Sequence, residues 1–197
     1  MNLPNKLTLL RICIVPFMVA SLLIPFNAPV HFLIAGLLFG AASLTDFFDG
    51  KIAREKNLIT DFGKFADPLA DKILVISAMV CFVALDICDP VLVILVLFRE
   101  FAVTSIRLVA ASKGSVIAAN IWGKVKTVTQ IVAIIAVFVF QFFLELCAVL
   151  PIPSEITAAL GFWLYFAGEV LLWISGVFAV ISGIIYIKDN KDCLKNR

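Results

Sequence analysis

The chain has 197 residues, of which 62% are hydrophobic and only 15% are charged, and its mean hydropathy is +1.09. A water-soluble domain of this size does not need so much apolar surface, so the composition excludes a soluble globular protein and predicts a polytopic membrane protein. The formal net charge of +2 gives no support for nucleic-acid binding.

Six apolar stretches are long enough to cross a bilayer, since a spanning helix needs roughly 20 residues. In chain order they lie near residues 11–27, 30–54, 62–85, 90–111, 120–148 and 157–187. Residues 3–10 are amphipathic, and we expect them to form a short N-terminal helix along the membrane interface. The predicted fold is therefore all-α, with six transmembrane helices in a single domain over residues 1–197.

Basic residues predict the orientation of the spans. Lys and Arg occur before the first span, between spans two and three, between spans four and five, and after the sixth, with Lys6 and Arg11 at the first of these places. The other three connections, near residues 27–31, 86–90 and 145–155, contain none. The positive-inside rule therefore places both termini and the connection between spans two and three in the cytoplasm.

Four aspartates lie in spans two and three, near this cytoplasmic connection. Residues spaced by three or four share a helix face, so Asp46 and Asp49 face one way on span two, and Asp67 and Asp71 do so on span three. With a rise of about 1.5 Å per residue on either side of a break at residues 57–60, Asp49 is level with Asp67 and Asp46 with Asp71. We expect the four carboxylates to converge.

Four carboxylates in an apolar setting cannot all stay ionised without compensation. Divalent cations supply that compensation, and all-oxygen ligands favour hard ions such as Mg²⁺ or Mn²⁺. Two ions bridged by shared carboxylates suit phosphoryl displacement. Helix-packing hydrogen bonds are the simpler explanation, but they account for one aspartate better than for four at this spacing.

The run D-x-x-D-G-x-x-A-R-x8-G-x3-D-x3-D, residues 46–71, resembles without departure the signature of the CDP-alcohol phosphotransferases. The resemblance implies a phosphatidyltransferase of the bacterial inner (plasma) membrane, a homodimer with a cytoplasmic active site. It also implies that the four aspartates hold two metal ions, and that Asp71 is the general base. The residues that it assigns to CDP binding are Asp49, Gly50, Ala53, Arg54 and Gly63.

Three stretches outside the signature bear on the acceptor alcohol. Residues 5–11, 99–101 and 107–127 resemble the branch of the family that transfers a phosphatidyl group from CDP-diacylglycerol to glycerol 3-phosphate. Other branches share parts of this similarity, so an acceptor of the cardiolipin, phosphatidylinositol phosphate or phosphatidylserine type stays an alternative.

A dianionic acceptor needs a cationic pocket beside the metal ions. Arg107, Lys124 and Lys126 are the candidates to bind the acceptor phosphate, because they lie at the cytoplasmic ends of spans four and five. Positive-inside anchoring explains each of the three equally well. Arg99 and Glu100 lie deeper in span four, and we expect a buried ion pair with other helices rather than substrate contact.

A divalent-cation transporter is the alternative from a different class, because intramembrane carboxylates also suit ion transport. Transport requires a polar path to the outer face. The outer halves of the spans are nearly bare of polar residues, as at residues 91–98 and 131–140, and the aspartates stop about halfway. This pattern favours a one-sided catalytic cleft.

Overall fold

The computed structural model describes residues 3–24, 29–55, 61–112 and 121–191, with side chains described for 5–24, 29–45, 69–111 and 121–191. The regular elements in these ranges are all α-helices, which confirms the all-α prediction. In chain order they are α1 (Leu3–Leu23), α2 (His31–Glu55), α3 (Asp61–Ala84), α4 (Pro90–Ser112), α5 (Ile121–Val149) and α6 (Ser154–Asp189).

The first helix differs from its prediction. Residues 3–10 are not a separate helix, because α1 runs without a break from Leu3 to Leu23, through Pro16. Helices α2 to α5 begin and end within a few residues of the predicted spans, and α6 begins at Ser154 rather than at residue 157.

Within the described residues, three helical segments are long and apolar enough to cross a membrane, namely Asn5–Leu23, Ile121–Val149 and Ser154–Asp189. A shorter apolar helical segment covers His31–Thr45. These segments support a membrane protein, and the full count of six spans stays a prediction. Helix α4 is not among the three because it carries three charged residues, Arg99, Glu100 and Arg107.

The helices pack around an aromatic centre. The ring of Phe138 on α5 lies 5.7 Å from that of Phe39 on α2 and 5.1 Å from that of Phe82 on α3, centroid to centroid. Gly36 permits this approach, because a Cβ at that position would lie 3.1 Å from Cβ of Phe138. Helix α1 packs against α2 and α3, while α6 packs against α4 and α5.

The connection between α3 and α4 is a tight turn far from the predicted site. Asp86 has a φ of 58°, and its carbonyl oxygen accepts a hydrogen bond of 2.6 Å from the hydroxyl of Tyr165 on α6. Asp89 caps α4, because its Oδ1 accepts from the backbone N–H of Val91 at 2.8 Å. Pro90 is the first residue of α4, as the sequence predicts.

Candidate active site

The signature lies on the last turns of α2 and the first turns of α3. The backbone thus agrees with the predicted pair of helices, and Asp71 is the predicted metal ligand whose side chain the structure describes. The other seven residues of the predicted metal and CDP sites lie outside the ranges in which side chains are described. They are Asp46, Asp49, Gly50, Ala53, Arg54, Gly63 and Asp67. Their predicted roles therefore stay predictions.

Asp71 opens onto a cavity of about 510 Å³ between α3, α4 and α5, which we call the Asp71 cavity. Among the residues whose side chains the structure describes, four basic and two acidic ones line it, so this part of the wall carries a net positive charge. The charged lining residues are Asp71, Lys72, Arg99, Glu100, Arg107 and Lys124.

Two of the three predicted acceptor-phosphate residues, Arg107 and Lys124, lie in this wall. Both are exposed, so their charges are available to a ligand that enters the cavity. They come from α4 and α5, which bring them to the same opening. The structure therefore brings two of the predicted cations to the side of Asp71.

The third predicted residue, Lys126, is buried and 5% exposed. Its Nζ donates a hydrogen bond of 2.6 Å to Oε1 of Glu100. It lines a smaller neighbouring cavity of about 30 Å³, which Asp71 also lines, instead of the wall of the Asp71 cavity. Lys126 therefore neutralises Glu100 rather than presenting its charge to the larger cavity.

Glu100 joins two cations through one oxygen. Its Oε1 also accepts a hydrogen bond of 2.7 Å from Nη1 of Arg99, its neighbour on α4. The expected ion pair between α4 and another helix is confirmed for Glu100 with Lys126, whereas Arg99 pairs within its own helix. Arg99 also lines the Asp71 cavity, a position that the sequence reasoning did not assign to it.

Thr104 connects α3 to the same network. Its Oγ1 accepts a short hydrogen bond from Nζ of Lys72 and donates one of 2.7 Å to the backbone carbonyl of Glu100. Lys72 follows Asp71 directly in the chain, so this contact fixes the level of Asp71 against α4. The sequence reasoning missed Thr104, although a spacing of four places Thr104 on the same face of α4 as Glu100.

Arg11, one of the basic residues that predict the orientation, has a contact that the sequence does not indicate. It is fully buried, and its Nε donates a hydrogen bond of 3.2 Å to the carbonyl of Ala42 on α2. Asn5 and Thr8 are also buried and precede it at intervals of three residues. Ala42 lies one turn before Asp46, so this polar side of α1 reaches the level where the signature begins.

Comparisons with known proteins give the family. Residues 1–181 match the family model of the CDP-alcohol phosphatidyltransferases. A Bacillus subtilis relative, named CDP-diacylglycerol–glycerol-3-phosphate 3-phosphatidyltransferase, is 40% identical over 98% of this chain and 97% of its own length. Relatives with the same name occur in Rickettsia bellii (35% identical; 95% of this chain, 94% of the relative) and Mycoplasma pneumoniae (36% identical; 73% and 71%).

The chain therefore belongs to the CDP-alcohol phosphatidyltransferase family. Membership makes it a transferase of phospholipid biosynthesis rather than a transporter, which confirms the family inferred from residues 46–71.

The Glu100 network predicts an order of stabilities. Glu100→Gln leaves the charges of partly buried Arg99 and buried Lys126 without their shared counter-charge, and the cost of about 3–5 kcal/mol for breaking a fully buried pair is an upper bound here. Lys126→Gln leaves Glu100 still paired with Arg99, so it should destabilise less. Unfolding midpoints in detergent give the comparison. Glu155→Gln, the same change at an exposed position, is the control and should shift the midpoint little. Equal midpoints for Glu100→Gln and Glu155→Gln would contradict the role of the network.

Proposed function

We propose that the protein transfers the phosphatidyl group of CDP-diacylglycerol to sn-glycerol 3-phosphate, giving phosphatidylglycerophosphate and CMP. The basic residues in the described wall of the Asp71 cavity are the observation that carries this proposal, because they suit an acceptor with a phosphate group. Serine carries no phosphate and has less need of such a wall, and a second phospholipid carries a phosphodiester with one negative charge where glycerol 3-phosphate carries two. Inositol phosphate would also suit it, and the names of the relatives favour glycerol 3-phosphate over inositol phosphate.

Asp71 acts on the acceptor hydroxyl in this reaction. Its carboxylate accepts the proton of the primary hydroxyl as that oxygen attacks the phosphorus bonded to diacylglycerol. The bond between this phosphorus and the oxygen that bridges the two phosphates breaks, and CMP leaves with that oxygen. Arg107 and Lys124 bind the acceptor phosphate at the cavity wall and orient the hydroxyl toward Asp71. Lys126 does not bind the phosphate in this proposal but forms an ion pair with Glu100, which lines the cavity.

Carboxylate oxygens are the donors that Mg²⁺ and Mn²⁺ prefer, so the four aspartates fit a site for hard divalent ions. Asp46, Asp49, Asp67 and Asp71 would hold two ions, which when bound supply positive charge that stabilises the leaving phosphate. Arg54 suits a phosphate of the CDP group through its planar guanidinium. The remaining proposed CDP contacts are Asp49, Gly50, Ala53 and Gly63.

We also propose six membrane spans, with both termini and the active site in the cytoplasm, and a homodimer as the family resemblance implies. A phosphatase reporter that works only outside the cytoplasm should be inactive when fused after Arg197 and active when inserted at residues 150–153, between α5 and α6. Activity of the fusion after Arg197 would reverse the orientation. Light scattering of the purified protein in detergent gives the number of subunits, and a monomer would remove the homodimer.

A panel of acceptors tests the function. Purified protein, supplied with radiolabelled CDP-diacylglycerol and Mg²⁺ or Mn²⁺, should release CMP and form one new lipid with glycerol 3-phosphate. Inositol phosphate, serine and phosphatidylglycerol should give much less product, as separated by chromatography. Chelation of divalent ions should stop the reaction. A faster reaction with any other acceptor would reject the proposed substrate while leaving the family unchanged.

Asp71→Asn tests the proposed general base. The amide cannot accept the hydroxyl proton, so kcat should fall by about 100-fold or more. Asp189→Asn makes the same chemical change at an exposed position near the end of α6, and its turnover should match the unmodified protein. Near-normal turnover by Asp71→Asn at saturating Mn²⁺ would remove Asp71 from the base role.

A further inference from the structure

Two arginines that line the Asp71 cavity donate hydrogen bonds to side chains of α6, which lie outside the cavity. Nη2 of Arg99 donates a hydrogen bond of 2.7 Å to Oγ of Ser182. Nε of Arg107 donates one of 3.1 Å to the hydroxyl of Tyr186, and the Arg107 guanidinium carbon lies 5.5 Å from the centre of the Tyr186 ring. Ser182 and Tyr186 are one turn apart on α6, so the same face of this helix contacts both arginines.

Ser182 and Tyr186 lie outside the cavity itself. Its lining comes from α3, α4 and α5, while Ser182 is 2% and Tyr186 3% exposed. A solute in the cavity therefore meets the arginines and not these two hydroxyl groups. Any effect of the hydroxyl groups on a bound anion has to pass through Arg99 and Arg107.

Gly183 adds a steric constraint on Arg99. A Cβ at this position would lie 2.9 Å from Cγ and 3.8 Å from Cβ of Arg99. The glycine thus gives the stem of Arg99 room to lie against α6, beside the hydroxyl of Ser182. Arg99 is fixed on three sides, by Gly183, Ser182 and Glu100.

The hydrogen bond that Arg107 donates to Tyr186 leaves most of the guanidinium for a ligand. Nε is used, and no other hydrogen bond joins Arg107 to the part of the chain that the structure describes. A guanidinium binds phosphate best when its fork is held in one orientation, because less side-chain freedom is then lost on binding. The contact with the Tyr186 ring restricts the same group further.

We propose that Ser182 and Tyr186 are positioning residues, which set the affinity for the acceptor phosphate by fixing Arg99 and Arg107 in the wall of the Asp71 cavity. This inference rests on the proposed function, since it requires an acceptor that carries phosphate. It adds α6 to the helices that determine acceptor binding.

The test uses full-length Tyr186→Phe and Ser182→Ala proteins in detergent, with each substrate varied separately. Loss of the hydrogen bond to Arg107 should raise the KM for glycerol 3-phosphate about 10-fold in Tyr186→Phe. Ser182→Ala should raise it by a smaller factor, because Arg99 lines the same wall but is not a proposed ligand of the phosphate. The kcat and the KM for CDP-diacylglycerol should stay within about twofold of the unmodified protein, because neither hydroxyl group is proposed to touch the reacting atoms. Inorganic phosphate, used as a competitor of glycerol 3-phosphate, should inhibit both variants more weakly.

The chain offers a matched control for each variant on the same helix. Tyr165→Phe removes a hydroxyl that donates to the carbonyl of Asp86, at the other end of α6. Ser175→Ala removes a buried hydroxyl that donates to the carbonyl of Leu172. Both controls should keep the KM for glycerol 3-phosphate unchanged.

Three outcomes separate this inference from the proposed function. A KM for glycerol 3-phosphate that equals that of the controls overturns the positioning role, as does an equal rise in KM for both substrates. If the unmodified protein prefers another phosphorylated acceptor, the proposed function fails, and a selective rise in KM for that acceptor still supports the positioning role. An acceptor without phosphate overturns both.

Discussion

The shared ion pair at Glu100 is the interaction on which the site depends. One carboxylate oxygen accepts hydrogen bonds from Arg99 on its own helix and from Lys126 on α5. Because Arg99 also reaches Ser182, this single carboxylate links three helices, α4, α5 and α6. Buried charges in an apolar bundle are costly unless they are paired, so the pairing holds these helices in one arrangement.

Burial determines which of the three basic residues can contact a ligand in the cavity. Lys126 is buried and paired, whereas Arg107 and Lys124 are exposed in the cavity wall. A phosphate in the Asp71 cavity can contact Arg107 and Lys124, while Lys126 lies outside the wall of that cavity. The proposed phosphate site therefore uses two of the three basic residues that the sequence suggests, Arg107 and Lys124.

Sequence patterns predicted those features of the fold that depend on residues close together in one helix. The spacing of apolar residues gave most helix bounds, Pro90 marked the start of α4, and residues 46–71 identified the family. Contacts between helices were harder to predict, because the spacing of residues along one helix does not show which other helix a side chain contacts. Thus neither the contact of Arg11 with Ala42 on α2 nor that of Lys126 with Glu100 on α4 could be predicted from the sequence. The roles of Asp46, Asp49 and Asp67 stay predictions.

An experimental structure with glycerol 3-phosphate and Mn²⁺ bound would show whether the Asp71 cavity is the acceptor site. We expect a phosphate group within hydrogen-bond distance of Arg107 and Lys124, with the primary hydroxyl directed at Asp71. Glycerol 3-phosphate bound away from this cavity, or with its phosphate rather than its hydroxyl at Asp71, would rule out the proposed acceptor site.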